Sequence, residues 1–554
     1  MRCNFRSILT VLLVLVLFSA CSRVPDHAKY IPKDAVAVAG INLKGLGKKI
    51  AWNMITGSKL FKEMQKRIPE KSAKDAVSGI EKAGIDAMNT FYIYVKTDTR
   101  FAGGNRITAL VPLSDASAWE AYVKQTFQNV AIRETGDRKE ASLGDNMYVG
   151  WNKNLLIIIN VMAAADQNDA ADSTMQQAKP ATDLAAISAE MANAFGVTKE
   201  NSIVGNKRFT DLDMEGHDLT FFLNYDQLMS QYMSGNVAQK MGVSLSNTLW
   251  KDAGVTAGFD FVKGKITGDM HYYMSPEMND VCTELGSTNL DKDMMDRLPD
   301  QNMDLLLAMH LSPKGIKGML EKVGVLGLAN IGLSAAGLNA DNVLDAFTGD
   351  MAIVMNDFSL HAESVTDSFM GQVVVHQNQK PSLSMSYIVK INKKEEFRKL
   401  VKLAKDNGLQ PMGNGFVMPI DDKDSVYIVM NDQYLVASNK LANANGFLQG
   451  SFKSDKKADA PVSQVSGHPM AVYVDIRQML QNIDASIGHS SHDSAMIMES
   501  KKLLNNMSLT GGSFKDNAFA YHLDINFSNT EENSIIQLMD YGMKISDADK
   551  ITAK

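Results

Sequence analysis

The sequence predicts an α+β protein of two tandem homologous lobes, each a largely antiparallel sheet flanked by helices. Three observations carry that reading. The chain has 554 residues, too many for one hydrophobic core, so two or more domains are required. Strand and helix patterns mix without regular βαβ alternation, and hairpin signals dominate, which favours antiparallel pairing. An ordered series of motifs also recurs once at a spacing of roughly 250 residues, far too long for a solenoid repeat.

Ile31-Pro32-Lys33-Asp34 precedes an apolar strand at Val36 to Ile41, as Leu298-Pro299-Asp300-Gln301 precedes Met303 to Met309. Gly79 to Ala87 and Gly332 to Ala340 share both glycines, both alanines and an Asp/Asn position. The second glycine of each, Gly84 and Gly337, reads as a left-handed helix cap. Tyr92 to Val95 and Ala352 to Met355 read as the next strand. Ala109 to Leu113, then a helix with Trp119, Tyr122 and Val123, corresponds to Tyr387 to Ile391 and a helix with Phe397, Leu400 and Val401. Met147 to Lys153 and Val426 to Asp432 lead through the turns Asn152-Lys153-Asn154 and Asn431-Asp432-Gln433 into partner strands, Leu155 to Ile159 and Tyr434 to Ala437. Gly216-His217 and Gly467-His468 each open a strand that leads to a helix, Asp226 to Met233 and Arg477 to Ile483; the matched histidines fit a shared structural role. Each copy closes on a strand pair, turned at Lys263-Gly264-Lys265 or Lys515-Asp516-Asn517.

The expected organisation is a signal at 1–20, a tether at 21–28, lobes at 29–291 and 292–546, and a tail at 547–554. Two stretches occur in one copy only: Ala163 to Met214, helical and polar, and Asp357 to Pro381, polar and loop-like. Specificity is expected in these inserts, because segments that a duplicated fold does not need are free to carry recognition. Their loss is then expected to leave folding intact. Gly324 to Gly337 is apolar, uncharged and rich in glycine. It is too short and too interrupted for a membrane span of about 20 residues, and reads as a buried helix with its cap; the alternative is a surface-exposed version, which would be a partner or lipid site.

The first twenty-one residues specify location. Arg2 and Arg6 precede an apolar run from Val11 to Phe18, followed by small residues and Cys21. That is a charged n-region, a short h-region and a cleavage site, with cysteine immediately after the cut. Leu17-Phe18-Ser19-Ala20-Cys21 resembles a bacterial lipoprotein lipobox, which implies a mature chain beginning at a lipidated Cys21. Acyl chains contribute about 0.8 kcal/mol per buried methylene, enough to hold the protein on a membrane. The linker Ser22 to Tyr30 reaches roughly 30 Å when extended, so the folded body is expected close to the bilayer.

Composition excludes several classes. Hydrophobic residues make up 45% and charged residues 21% of the chain, a globular rather than disordered balance. Cleavage leaves 54 basic and 63 acidic residues, and that mildly acidic mixture argues against nucleic acid as a partner. Of three cysteines, Cys3 leaves with the signal and Cys21 carries lipid; Cys282 is then alone, without an intramolecular disulfide, and reads as a buried, inert thiol.

No local motif specifies a reaction. His489, His492 and Asp493 form the only clustered ligand set, in a segment, Gly488 to Ser494, that reads as a polar loop. A zinc site there is the alternative to a solvated loop. Asp421-Asp422-Lys423-Asp424 lacks the glycine and distant glutamate of an EF-hand and reads as a charged hairpin turn. G-x-S-x-G, H-E-x-x-H, P-loop and C-x-x-C patterns are absent from the sequence.

Together with the lipobox and short tether, the opening Ala28-Lys29-Tyr30-Ile31-Pro32-Lys33-Asp34-Ala35-Val36-Ala37-Val38 resembles exported Bacteroidota lipoproteins of the domain of unknown function 4836 family. The resemblance implies an outer-membrane lipoprotein of the cell envelope and brings no established activity or cofactor. It implies the periplasmic face over the cell surface, because Ser22-Arg23-Val24-Pro25 is not acidic. The expected function is a non-catalytic binding or envelope-assembly role, with an envelope protein or small ligand as partner. The alternative is an envelope hydrolase, metal-assisted through His489, His492 and Asp493.

Overall fold

The computed structural model describes residues 24–49, 82–97, 105–127, 130–144, 147–161, 184–233, 249–369, 372–420, 424–453, 461–484 and 491–552. The fold mixes helices with antiparallel strands in open sheets. It divides into two compact units. One takes Met1–Thr56, Met64–Gln227 and Thr256–Phe259; the other takes Gly57–Glu63, Leu228–Val255 and Asp260–Lys554. Among the described residues no helix is long and apolar enough to cross a membrane.

The sheet of the first unit holds β1 (Ala37–Asn42), β2 (Thr90–Thr97), β3 (Asn105–Pro112), β4 (Arg133–Thr135), β5 (Arg138–Ser142), β6 (Met147–Trp151), β7 (Leu155–Val161) and β8 (Leu219–Asn224). Antiparallel pairing sets the order β8-β1-β2-β3-β7-β6-β5-β4. Period-two alternation assigns the faces. Val38, Tyr92, Leu110, Ile157 and Phe222 share one face and pack on Ile187, Met191, Phe209 and Leu212. Val111, Val149, Trp151 and Leu156 share the other and pack on Trp119 and Val123 of the helix Ala116–Thr126. Asp115 starts that helix by accepting from the Ser117 and Ala118 N–H groups at 2.8 and 3.1 Å, which satisfies two otherwise orphaned donors.

The turns follow the sequence closely. Asn152 Oδ1 accepts from the Asn154 and Leu155 N–H groups at 3.0 Å. Asn431 Oδ1 does the same for Gln433 and Tyr434 at 2.8 and 2.9 Å. Each asparagine closes its hairpin by mimicking a backbone turn. Gly84 (φ +68°) and Gly337 (φ +70°) both lie in the left-handed region. At Gly84 a Cβ would also lie 2.1 Å from the Asp115 carbonyl oxygen.

The chain folds earlier than the expected tether allows: Asp26–Tyr30 is a 3-10 turn, and His27 and Ala28 are buried. The insert Ala163 to Met214 also differs from its expected dispensable role. Residues 162–183 lie outside the described set, but the rest forms the helices Leu184–Phe195 and Lys207–Glu215. These supply Ile187, Met191, Ala194, Phe209 and Leu212 to the main core. Helix and sheet meet so closely that a Cβ on Gly150 would lie 2.5 Å from the Met191 sulfur.

Gly264 (φ +69°) turns the chain from β9 (Gly254–Val262) into β10 (Lys265–Tyr273), a strand of the second unit. Further strands are β11 (Met303–His310), β12 (Phe347–Phe369), β13 (Gln372–Ile391), β14 (Gln410–Met412), β15 (Gly415–Pro419), β16 (Ser425–Met430), β17 (Tyr434–Ser438), β18 (Met470–Val474), β19 (Leu504–Lys515) and β20 (Ala518–Phe527). Their order is β10-β20-β19-β18-β11-β12-β13-β17-β16-β15-β14, antiparallel throughout. Leu306, Val354, Ile388 and Val436 face Met294, Leu298, Phe447 and Val462 across the core. The β15–β16 hairpin matches the charged turn expected near Asp424; residues 421–423 lie outside the described set.

Two expectations fail here. Asp357 to Pro381 is not a loop. β12 and β13 continue past their neighbours as a two-stranded ribbon, paired from Ser359↔Ser382 to Phe369↔Gln372. Register in one long hairpin overrides the weak strand propensity of its Asp, Ser and Gln residues. Its base is pinned at a bulge. Buried Asp304 accepts from the Phe358 N–H at 2.7 Å, and Asn302 Nδ2 donates to Asp357 Oδ1 at 2.9 Å, with both Asn302 and Asp357 at positive φ. Gly324 to Gly337 is a helix, Leu326–Ser334, but not a buried one: Leu328 and Ile331 are 65% and 70% exposed. An all-apolar stretch has no polar face to mark which side meets solvent.

The helices of the first insert make a stability prediction. Met191→Ala should cost about 2–5 kcal/mol, the range for truncating a buried Met, measured by chemical denaturation. A loss within about 0.5 kcal/mol, typical of surface substitutions, would return the insert to a dispensable role.

Candidate functional site

A cluster of four charges in the first unit follows directly from strand register. Lys96 on β2 stands opposite Arg106 on β3, and like charges directly opposite one another repel. Two carboxylates from distant segments answer them. Asp34, just before β1, lies 2.8 Å from Lys96 Nζ, and Glu190, on the helix Leu184–Phe195, lies 2.7 Å from Arg106 Nη1. Arg106 is buried, so its partner is obligatory.

Asp34, Lys96 and Glu190 line a cavity of about 360 Å³, together with Tyr94, Asn193 and Thr198. Its wall is fastened by backbone bonds: the Lys33 N–H donates to the Asn201 carbonyl at 2.8 Å, and the Ile203 N–H to the Ile31 carbonyl at 2.9 Å. Burial pushes the Tyr94 hydroxyl up to about 12, so it stays a neutral donor. A buried carboxylate, Glu140, is held by Arg138 Nε at 2.7 Å and by the Ser188 and Tyr148 hydroxyls at 2.9 and 3.3 Å. The cavity is small, polar and carries both signs of charge. It suits a compact ligand that also carries both, in the volume range of small-molecule sites.

Another polar assembly lies within the core of this unit. The Tyr92 hydroxyl donates to Asp213 Oδ1 at 2.7 Å, and the His27 ring sits 5.3 Å from the Tyr92 ring. Burial raises Asp213 to about 6, against the opposing effect of the Tyr92 hydrogen bond. Burial likewise lowers His27.

The residues singled out in the sequence are not brought together. Cys21 and His489 lie outside the described residues, and His492 and Asp493 begin the helix Ser491–Leu503 rather than a loop. Among the described residues no group of three His, Cys, Asp or Glu side chains could hold a metal. Cys282 is buried, and burial raises its thiol to about 11, the behaviour of a packing residue. His217 Nε2 lies 2.9 Å from Glu215 Oε2, and its ring covers Gly258, where a Cβ would lie 2.1 Å away. The His468 carbonyl accepts from the Leu290 N–H at 3.0 Å. The cavity and the charge pairs at it escape any local reading because their residues come from three separated stretches. The one available signal was Lys96 and Arg106 on adjacent strands.

Two measurements follow. Glu190→Ala strands a buried guanidinium and should cost about 3–5 kcal/mol, while Glu190→Ala with Arg106→Leu should recover much of it; equal losses would place no coupling between the two. For Asp213 the folded value lies above the unfolded one, near 3.8. Its contribution to stability is therefore full below about pH 4 and lost as pH rises through about 6. Asp213→Asn should gain stability over the wild type between pH 4 and pH 7 in thermal melts, and a constant difference across that range would contradict the assignment.

No curated protein matches the chain. Among solved structures, crystal form IV of TP0453 matches at 9% identity and TM-score 0.24, over 47% of this chain and 87% of that one. Crystal form III of TP0453 matches at 8% identity and TM-score 0.25, over 48% and 89%. The family model described as a domain of unknown function, DUF4836, matches residues 27–535, and the chain belongs to that family.

Proposed function

We propose that the protein is a lipid-anchored envelope lipoprotein, cleaved before Cys21 and held at the periplasmic face of an outer membrane, whose first unit binds a small dipolar ligand without transforming it. The observation that carries the binding role is the cavity lined by the Lys96–Asp34 pair and by Glu190, whose carboxylate pairs with buried Arg106. A ligand bearing a carboxylate and an ammonium matches these groups in sign. Asp34, Lys96 and Glu190 are each committed to an ion pair, an arrangement suited to holding a ligand rather than to moving a proton. The anchor rests on the signal pattern and Cys21. Descent from one duplicated unit is part of the same reading. It is supported by the common strand order, since β8-β1-β2-β3-β7-β6-β5-β4 and β18-β11-β12-β13-β17-β16-β15-β14 run in parallel along the chain.

Two experiments test this. Metabolic labelling with a fatty-acid probe should tag the wild type and not Cys21→Ala; labelling that survives the substitution removes the anchor. A thermal-shift panel of dipeptides, dicarboxylates and diamines should stabilise the wild type with the dipeptides foremost, and Lys96→Ala should lose that shift. No shift with any member, or a shift unaffected by Lys96→Ala, removes the cavity as the site.

A further inference from the structure

Among the described residues, the helix Leu326–Ser334 takes no part in the cores of its unit. None of its residues is buried, and Leu328 and Ile331 stand 65% and 70% exposed. From Val323 to Ala340 the chain carries no charged residue. The two polar side chains within the helix are turned back on the segment itself. Asn330 Oδ1 accepts from the Ala340 N–H at 2.8 Å, and the Ser334 hydroxyl donates to the Ile331 carbonyl at 2.7 Å. The helix end is also closed internally, with the Gly337 and Leu338 N–H groups donating to Ser334 and Leu333 carbonyls at 3.0 and 3.1 Å. A surface helix whose polar side chains bond within its own segment and whose exposed side chains are apolar is suited to an apolar surface.

We infer that this helix is a second membrane contact, lying in the interface of the bilayer to which Cys21 tethers the chain; the inference rests on the lipid-anchor reading. The chain is folded from Asp26 onward, so the anchor leaves a tether of about 17 Å when fully extended. The protein thus works beside a bilayer surface, which is the apolar phase at hand. Contact is through Leu328 and Ile331, with Lys322 and Asp341 marking the limits of the uncharged stretch. Nine residues of helix cannot span a bilayer, so the helix lies along the surface. Because the segment is uncharged, docking needs no anionic lipid.

The test uses the full lipidated protein in vesicles of phosphatidylcholine and phosphatidylethanolamine. An environment-sensitive fluorophore is placed at Ile331→Cys and, as a control, at exposed Lys402→Cys; buried Cys282 does not compete for label. Flotation and the mass of the N-terminal peptide report the anchor independently. The expected result is a blue shift at position 331 and loss of its fluorescence with lipids brominated along their acyl chains, neither occurring at position 402. A floating protein whose 331 probe behaves like the 402 probe overturns the docking and leaves the anchor standing. A blue-shifted 331 probe that bromine does not quench reports a protein surface, such as a second copy, and also overturns it. A chain without lipid on Cys21 overturns both.

Discussion

The first unit is organised around a guanidinium that has been taken out of water. Arg106 sits buried on β3, opposite another cation, Lys96. Burial of an unpaired charge is prohibitive, so Glu190 must come within hydrogen-bonding distance, and Glu190 arrives only if the helix Leu184–Phe195 lies across the sheet. That requirement fixes the helix which buries Ile187, Met191 and Ala194. It also leaves the cavity where the helix end, the end of β2 and the segment before β1 converge. Fold and candidate site here share one constraint.

Legibility in the sequence follows from range. The hairpin asparagines Asn152 and Asn431 act on neighbours two and three residues away, and the left-handed glycines Gly84 and Gly337 act on their own backbone. Such features are written locally, and they were readable. The strand positions followed from apolar runs bounded by turn residues. The cavity depends on Asp34, Lys96, Arg106 and Glu190, which meet only through long-range pairing, so no window of the sequence contains it.

The errors have equally local causes. Leu184 to Phe195 looked expendable because it interrupts an otherwise regular correspondence, although Ile187, Met191 and Ala194 already stood at helical spacing on one face. Leu326 to Ser334 looked buried because apolar sequence usually is. The segment 357–381 looked unstructured because its polar composition hides a hairpin whose backbone needs no sheet neighbour. Correspondence between copies says where elements lie, not whether their surfaces are covered.

The ribbon of β12 and β13 has a mechanical consequence. Its eleven cross-strand pairs beyond the bulge, Ser359↔Ser382 to Phe369↔Gln372, give a lever of about 36 Å at strand rise. Its fulcrum is the knot of Asn302, Asp304 and Asp357, at the start of the central strand β11. A tilt of roughly 10° at that fulcrum sweeps the tip by about 6 Å for a lever of this length. Force applied at the tip is therefore delivered, multiplied, to a single buried carboxylate.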